Sequence, residues 1–244
     1  MFTQCEAIYC RSIVPIQDTP SVKFTFDLHI KTPRAIVAKA SANRTREVFV
    51  DNYRETYYQM SIPVQSYLIA IAAGIIDEAE IGTSNIWVLA EPAMMEMSLK
   101  ELEELPKAME VANQYVIPYQ WGAYKIIVLP PSFPVGGMEN PLLTFASPSI
   151  IVGDKSSVNV ANHELAHSWS GNWVTNMNWD NFWLNEGFTV FLERKITKLL
   201  IADQKQANLT YKVAATVGNS TLMTAMNGFG MTNSFSSLTP NAGT

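Results

Sequence analysis

Polar and apolar residues alternate through the first third of the chain, a pattern typical of half-buried strands. Residues 23–30 change character at each position, and residues 47–50 repeat the alternation more briefly. Prolines interrupt this region at positions 15, 20, 33 and 63, which suits the edges and turns of sheets. The longest apolar run, residues 67–76, predicts a buried strand and is far too short to cross a bilayer.

Further along the chain the spacing becomes helical. Residues 92–115 carry leucines three residues apart and predict an amphipathic helix, which Pro106 is expected to kink or break. Residues 124–129 predict a short buried strand. Helical spacing returns over residues 158–169 and 186–199, whereas the last residues of the chain have weak periodicity.

The pattern therefore predicts an α+β fold with two parts, a β-rich domain over residues 1–82 and a mixed domain over residues 83–244. Composition agrees, because 48% apolar and 16% charged residues in a chain of 244 are typical of a protein with a packed core. The formal net charge of −5 argues against nucleic acid as a partner, since phosphate binding needs a basic surface.

Two cysteines, Cys5 and Cys10, lie near the start of the sequence. If that segment is extended, their odd separation places them on opposite faces, so we expect no disulfide between them. The opening residues carry no secretory leader, with neither a basic segment nor an apolar core. Together these observations predict a reducing, cytoplasmic compartment and no membrane association.

The candidate chemistry lies in the motif His163-Glu164-Leu165-Ala166-His167 and in Glu186, with 18 residues between His167 and Glu186. Residues four apart share a helix face, so both imidazoles can reach one metal ion. Two histidines and a carboxylate leave the fourth position of a zinc ion open for water, and Glu164 can serve as general base. The alternative is a histidine pair packed in a helical core. The third histidine, His29, is expected at the surface or in strand packing.

A second motif, Gly136-Gly137-Met138-Glu139-Asn140, follows a proline-rich loop. Paired glycines let a backbone approach a ligand closely, and Glu139 adds a fixed negative charge. Taken alone, the motif describes an ordinary turn with a solvated glutamate. Its place some twenty residues before the histidine motif favours a part in the same site.

The two motifs, with the later segment Trp183-Leu184-Asn185-Glu186-Gly187-Phe188, resemble the M1 family of zinc aminopeptidases. Within that family the chain is most similar to the leukotriene A4 hydrolase branch. The resemblance runs over nearly the whole chain, is most specific over residues 130–194 and becomes thin past residue 208.

The resemblance implies a partial, saddle-like β domain followed by a thermolysin-like catalytic domain, with the chain truncated at both ends. It implies one zinc ion held by His163, His167 and Glu186, with Glu164 as the base. Glu193 falls on the same helix face as Glu186, where it would support the metal ligands or form a surface salt bridge.

The resemblance also implies peptide substrates with a free N-terminus. Glu139 would hold the α-ammonium group, and Glu6 falls where the family places a second amine-anchoring residue, next to Ala7. Gly136, Gly137 and Met138 would lie along the substrate backbone.

Three departures from the family limit what the resemblance implies. Val135 stands where the hydrolase branch carries an aromatic residue. The family's oxyanion-stabilising tyrosine falls beyond Thr244, and Tyr211 does not match the motif of that tyrosine. A C-terminal helical domain is also missing from the sequence. We therefore expect a zinc aminopeptidase that is catalytically incomplete in this chain. The alternatives are an epoxide hydrolase acting on leukotriene A4 and an inactive zinc-binding fragment.

Overall fold

The computed structural model describes residues 1–228, with side chains described as far as residue 216. The first part of the chain forms two small antiparallel sheets, as its alternating pattern predicts. One sheet has the strand order β1-β4-β3, and the other pairs β2 with β5. Their strands are β1 (Lys23–Pro33), β2 (Val37–Ala40), β3 (Asn43–Val50), β4 (Tyr53–Gln65) and β5 (Ile71–Gly74).

A third, mixed sheet has the strand order β6-β7-β8-β10-β9. The central strands run parallel, and both edge strands are antiparallel to their neighbours. The predicted strand over residues 124–129 is confirmed as β8. The strands are β6 (Asp77–Glu80), β7 (Ile86–Ala90), β8 (Tyr124–Val128), β9 (Gly137–Met138) and β10 (Thr144–Ala146).

The helices belong to the second part of the chain, so the α+β class is confirmed. The single helix predicted over residues 92–115 is two helices, and the break comes just before Pro106. Pro106 lies in the first turn of the second helix, where its missing N–H costs no hydrogen bond. The tail at residues 239–244 lies outside the described residues. The helices are α1 (Met95–Glu101), α2 (Leu105–Tyr115), α3 (Val158–Ala166), α4 (Phe182–Leu200) and α5 (Gln204–Gly228).

Both faces of the central strands β7, β8 and β10 are largely buried, which explains their nearly continuous apolar sequences. Consecutive residues of β8 pack into different cores: Ile126 packs among the helices, whereas Ile127 packs against the first domain. The helical core includes Leu105 of α2 and Leu165 of α3. Helix α3 is thereby fixed on one face of the sheet. Among the described residues, no helix is both long and apolar enough to span a membrane.

The prediction of one buried strand over residues 67–76 is wrong. The run begins in a 3₁₀ turn, Ser66–Leu68, and only Ile71–Gly74 is a strand. Tyr67 and Leu68 are buried because they fill the core between the first domain and the mixed sheet, whereas Ile75 is 64% exposed. Tertiary packing, rather than strand pairing, buries this apolar run.

The prediction of unpaired cysteines is also wrong, because Cys5 and Cys10 form a disulfide. The segment is not extended: residues 6–9 form turns that lead into the 3₁₀ helix Cys10–Ser12, and the Tyr9 N–H donates to the Cys5 carbonyl at 2.7 Å. The chain folds back on itself and brings the two Cα atoms to 4.6 Å. The predicted reducing compartment loses the support of free thiols.

Candidate metal centre

Helix α3 carries the histidine motif on its buried side. His163 lies inside the helix and His167 caps its C-terminal end, where the His167 N–H donates to the His163 carbonyl at 3.1 Å. One helical turn therefore separates the two rings, and their Nε2 atoms approach to 3.0 Å. Both residues are buried, with exposed fractions of 5% and 1%.

Glu186 reaches the same point from α4. This helix begins at Phe182, four residues before the start that the periodicity indicated, so Glu186 lies one turn inside it. Its Oε2 is 3.4 Å from Nε2 of His163 and 3.6 Å from Nε2 of His167. Three buried donor groups of the predicted metal set thus converge within 4.8 Å of one another.

The other ring nitrogens are held by neighbouring groups. Nδ1 of His163 lies 3.2 Å from Oε2 of Glu193, which is two turns beyond Glu186 on α4. Nδ1 of His167 lies 3.0 Å from the Ser170 carbonyl and 3.0 Å from the Thr189 hydroxyl. These contacts orient both Nε2 atoms toward Glu186, the arrangement that metal-binding histidines require. Glu193 thus contacts a ring of the cluster rather than a surface cation. Sequence reasoning missed Ser170 and Thr189, although Thr189 follows Glu186 at helical spacing.

The site combines buried carboxylates with these histidines, and their charges shift each other's pKa values. Burial raises the pKa of Glu164 to about 8, and Glu139 and Glu186 push it the same way. Burial works against the charged form of Glu186, yet His167 and His163 lower its pKa to about 2. Burial works against the charged form of His167 too, but Glu139 and Glu186 raise its pKa to about 10. The cluster therefore favours a bound cation.

Buried oxygen atoms without partners support the same conclusion. Among the described residues, Oε2 of Glu186, Oε2 of Glu164 and Oε1 of Glu139 are buried without a hydrogen-bond partner. Unpaired buried carboxylate oxygens are costly unless a cation or a ligand donor meets them. Two imidazoles and one carboxylate oxygen without a hydrogen bond fit a zinc ion with an open fourth position.

The glycine motif lies against this cluster. Strand β9, Gly137–Met138, is the edge of the mixed sheet, and Gly137 packs against the Glu164 side chain. Gly136 has more room, since an added Cβ would meet Val160 at an ordinary 3.7 Å. Met138 is 2% exposed and its side chain belongs to the core.

Glu139 follows Met138 and is brought beside the histidines. It is 5% exposed, and its Oε1 lies 3.8 Å from Nδ1 of His167. The Asn172 amide donates to the Glu139 carbonyl at 2.7 Å and fixes the backbone there. Burial raises the pKa of Glu139.

Glu6 enters from the first domain, in the turn enclosed by the disulfide. Its Oε1 is buried and, among the described residues, has no hydrogen-bond partner. Burial, followed by the charges of Glu139 and Glu186, raises its pKa well above the usual value. The fold thus brings Glu6 near the carboxylates of Glu139 and Glu186, although they are far apart in the sequence. Ala7 follows in the same turn and is partly buried.

Comparison with known families gives two matches. Residues 100–240 match the peptidase family M1 domain. Residues 1–68 match the peptidase M1 N-terminal domain.

Individual relatives match along nearly the whole chain. Leukotriene A-4 hydrolase of Xenopus laevis is 43% identical over 99% of this chain, and leucine aminopeptidase 2 of Chaetomium globosum is 44% identical over 98%. A solved structure of yeast LTA4 hydrolase in complex with bestatin is 39% identical, covers 93% of this chain and superposes with a TM-score of 0.82. The chain spans only 39% and 38% of the two relatives' lengths and 35% of the yeast chain.

Proposed function

Because the chain belongs to the M1 family of peptidases, we propose that it carries the metal centre of a zinc aminopeptidase, which releases N-terminal residues from peptides. The observation that supports this most directly is the convergence of both histidine Nε2 atoms on the Glu186 carboxylate. The relatives named leucine aminopeptidase 2 agree with a peptide substrate.

One zinc ion would be held by His163, His167 and Glu186. The nitrogen and oxygen donors suit zinc, and Glu193 and Thr189 would keep the histidine rings oriented. When bound, such an ion supplies Lewis-acid polarisation of a carbonyl and lowers the pKa of water toward neutrality.

Glu164 would act as the general base. Burial raises its pKa to about 8, so its carboxyl group can take up a proton and give it back near neutral pH. It would accept a proton from the attacking water and deliver it to the leaving amine. Its buried Oε2, unpaired among the described residues, is available for this exchange.

Glu139 and Glu6 would bind the α-ammonium group of the substrate. Both carry a buried carboxylate oxygen that lacks a hydrogen-bond partner among the described residues, and a cationic amine is the donor that such oxygens need. A substrate amine held there limits cleavage to the first peptide bond. Met138 and the two glycines, on or beside the edge strand β9, offer backbone groups to an extended peptide, with Ala7 beside Glu6.

We further propose that the two domains divide near residue 82, into residues 1–82 and 83–244. Strand β6 would then pair across this boundary with β7.

Hydrolysis of a lipid epoxide is the second candidate, because the Xenopus laevis relative is named leukotriene A-4 hydrolase. The carboxylates of Glu6 and Glu139 favour a peptide amine over an apolar lipid chain, so we place the peptidase first.

The substitution Glu164→Gln tests the proposal, since it keeps the side-chain volume and removes the base. Hydrolysis of an aminoacyl reporter should fall by about 10²–10⁴-fold, while zinc content stays near that of the unsubstituted chain. Undiminished hydrolysis by the variant would exclude Glu164 as the base. Zinc binding without hydrolysis by the unsubstituted chain would instead support the alternative of an incomplete zinc-binding fragment.

A further inference from the structure

The loop after α3, residues 170–176, contacts His167, Glu139 and the residue before Glu186. The Ser170 carbonyl lies 3.0 Å from Nδ1 of His167. The Ser170 hydroxyl donates to the Asn185 carbonyl at 3.2 Å, directly before Glu186. The Asn172 amide donates to the Glu139 carbonyl at 2.7 Å. Displacement of this loop would therefore change the orientation of a histidine and the position of the amine-binding carboxylate together.

Side chains of the first domain hold the other side of the same loop. Lys23 on β1 donates from Nζ to the carbonyls of Asn172 at 3.1 Å and Trp173 at 3.0 Å. Gln65, at the end of β4, donates from Nε2 to the Gly171 carbonyl at 3.0 Å and also contacts Thr175 Oγ1. Three consecutive carbonyls of one loop thus receive donors from the first domain.

The backbone of the loop is also closely constrained at Gly171. Gly171 has a φ of +107°, and the Asn185 amide occupies the space where a Cβ would lie, at 2.7–2.9 Å. The Asn185 amide in turn donates to the Tyr67 hydroxyl at 3.3 Å. Gln65 is fully buried and Tyr67 is 1% exposed, so water cannot readily replace their contacts.

We propose that Lys23 and Gln65 are positioning residues of the metal centre, through which the first domain orients His167 and Glu139. The inference rests on the proposed function, because it assigns these residues to the same zinc and amine sites. Neither residue lies in a motif of the metal site, and Lys23 is 149 positions from Asn172. Their contribution is to hold the loop, not to touch the substrate.

Lys23→Met is the main test, because Lys23 is exposed and its removal leaves the core intact. Zinc affinity should fall by about tenfold, the lower range for lost support of a metal-binding histidine. The visible spectrum of the Co²⁺-loaded chain should change, since it reports ligand geometry. Lys23→Arg should restore both, because its guanidinium can donate to both carbonyls. Lys31→Met is the control, because Lys31 is on the same strand and its charged group contacts Tyr53 and Glu55.

Gln65→Met gives an independent test at the second donor and should show the same loss of zinc affinity. Unchanged zinc affinity and an unchanged Co²⁺ spectrum in a folded Lys23→Met variant would overturn the inference, and so would an equal loss in Lys31→Met. Failure of the unsubstituted chain to bind zinc would instead count against the proposed function, so the two failures are distinguishable.

Discussion

Gly137 and Glu164 are packed so closely that no side chain fits between them. A Cβ built on Gly137 would lie 2.6 Å from Cγ of Glu164 and closer still to its carboxylate. Glycine is required here by this close approach, since the backbone of Gly137 needs no left-handed conformation. Edge strand β9 and the candidate base are therefore in direct contact, and the position of one sets the position of the other.

Gly137→Ala should therefore displace the base while leaving the metal ligands in place. We expect kcat to fall by about 10²-fold, the effect of misplacing a catalytic group by roughly 1 Å. Zinc content should stay unchanged, because the three atoms nearest the added Cβ belong to Glu164 and not to a proposed metal ligand. Steady-state kinetics and metal analysis of the purified variant measure both effects.

Gly74→Ala on β5 is the matched control, because the Cβ there meets Ile76 at 3.8 Å and needs no adjustment. Its kcat should stay within about twofold of the unsubstituted chain. Equal losses in the two variants would show that the added methyl group does not act through Glu164.

The sequence was sufficient to predict that His163 and His167 converge, because their geometry is local. His163 and His167 are one helical turn apart, so their convergence follows from helix geometry alone. Strands β1 and β8 and helices α3 and α4 were also predictable, because burial of one face imposes a period on the sequence. The errors arose where the backbone departs from regular structure, as in the turn that joins Cys5 to Cys10 and the 3₁₀ turn at Tyr67.

The supporting contacts could not be predicted in the same way. Lys23 and Gln65 meet the metal-site loop across 106 to 150 residues of sequence, and no periodicity encodes such a pairing. Glu193 was ambiguous, because its place on α4 suits either a histidine or a surface cation. Only packing of α3 against α4 decides between them.

Glu193→Gln should weaken zinc binding, because a neutral amide supports the His163 ring less well than a carboxylate. We expect a 10- to 100-fold loss of affinity, roughly the range found for such supporting groups. Competition with a chromophoric chelator measures it. Glu110→Gln, on the exposed side of α2 with a hydrogen bond only to Gln114, is the control and should leave the affinity unchanged. An equally small effect for both variants would show that Glu193 does not support zinc binding.

Glu139→Gln should separate amine recognition from metal binding. The amide keeps the side-chain volume but loses the charge that meets the substrate ammonium group, so KM should rise about 10- to 100-fold, as for loss of a hydrogen bond to a charged group of about 1.5–3 kcal/mol. Steady-state kinetics with an aminoacyl reporter measures the rise, and zinc content should remain unchanged. Glu96→Gln on the surface of α1 is the control. A KM equal to that of the control would contradict the role of Glu139 as the amine anchor.

Removal of zinc should destabilise the folded chain, because the ion binds the native arrangement of His163, His167 and Glu186. These ligands come from two helices that pack together, so the bound ion also cross-links α3 and α4. Free zinc at a thousand times its dissociation constant stabilises the native state by about 4.1 kcal/mol. For a chain of this size that corresponds to a rise in Tm of roughly 8–16 °C. Calorimetry before and after chelation, and again after zinc is restored, measures the shift.

His167→Ala should show no zinc-dependent shift, and Mg²⁺ should not replace zinc, since it prefers oxygen ligands. A Tm that does not respond to zinc would contradict a structural link between the metal and the two helices.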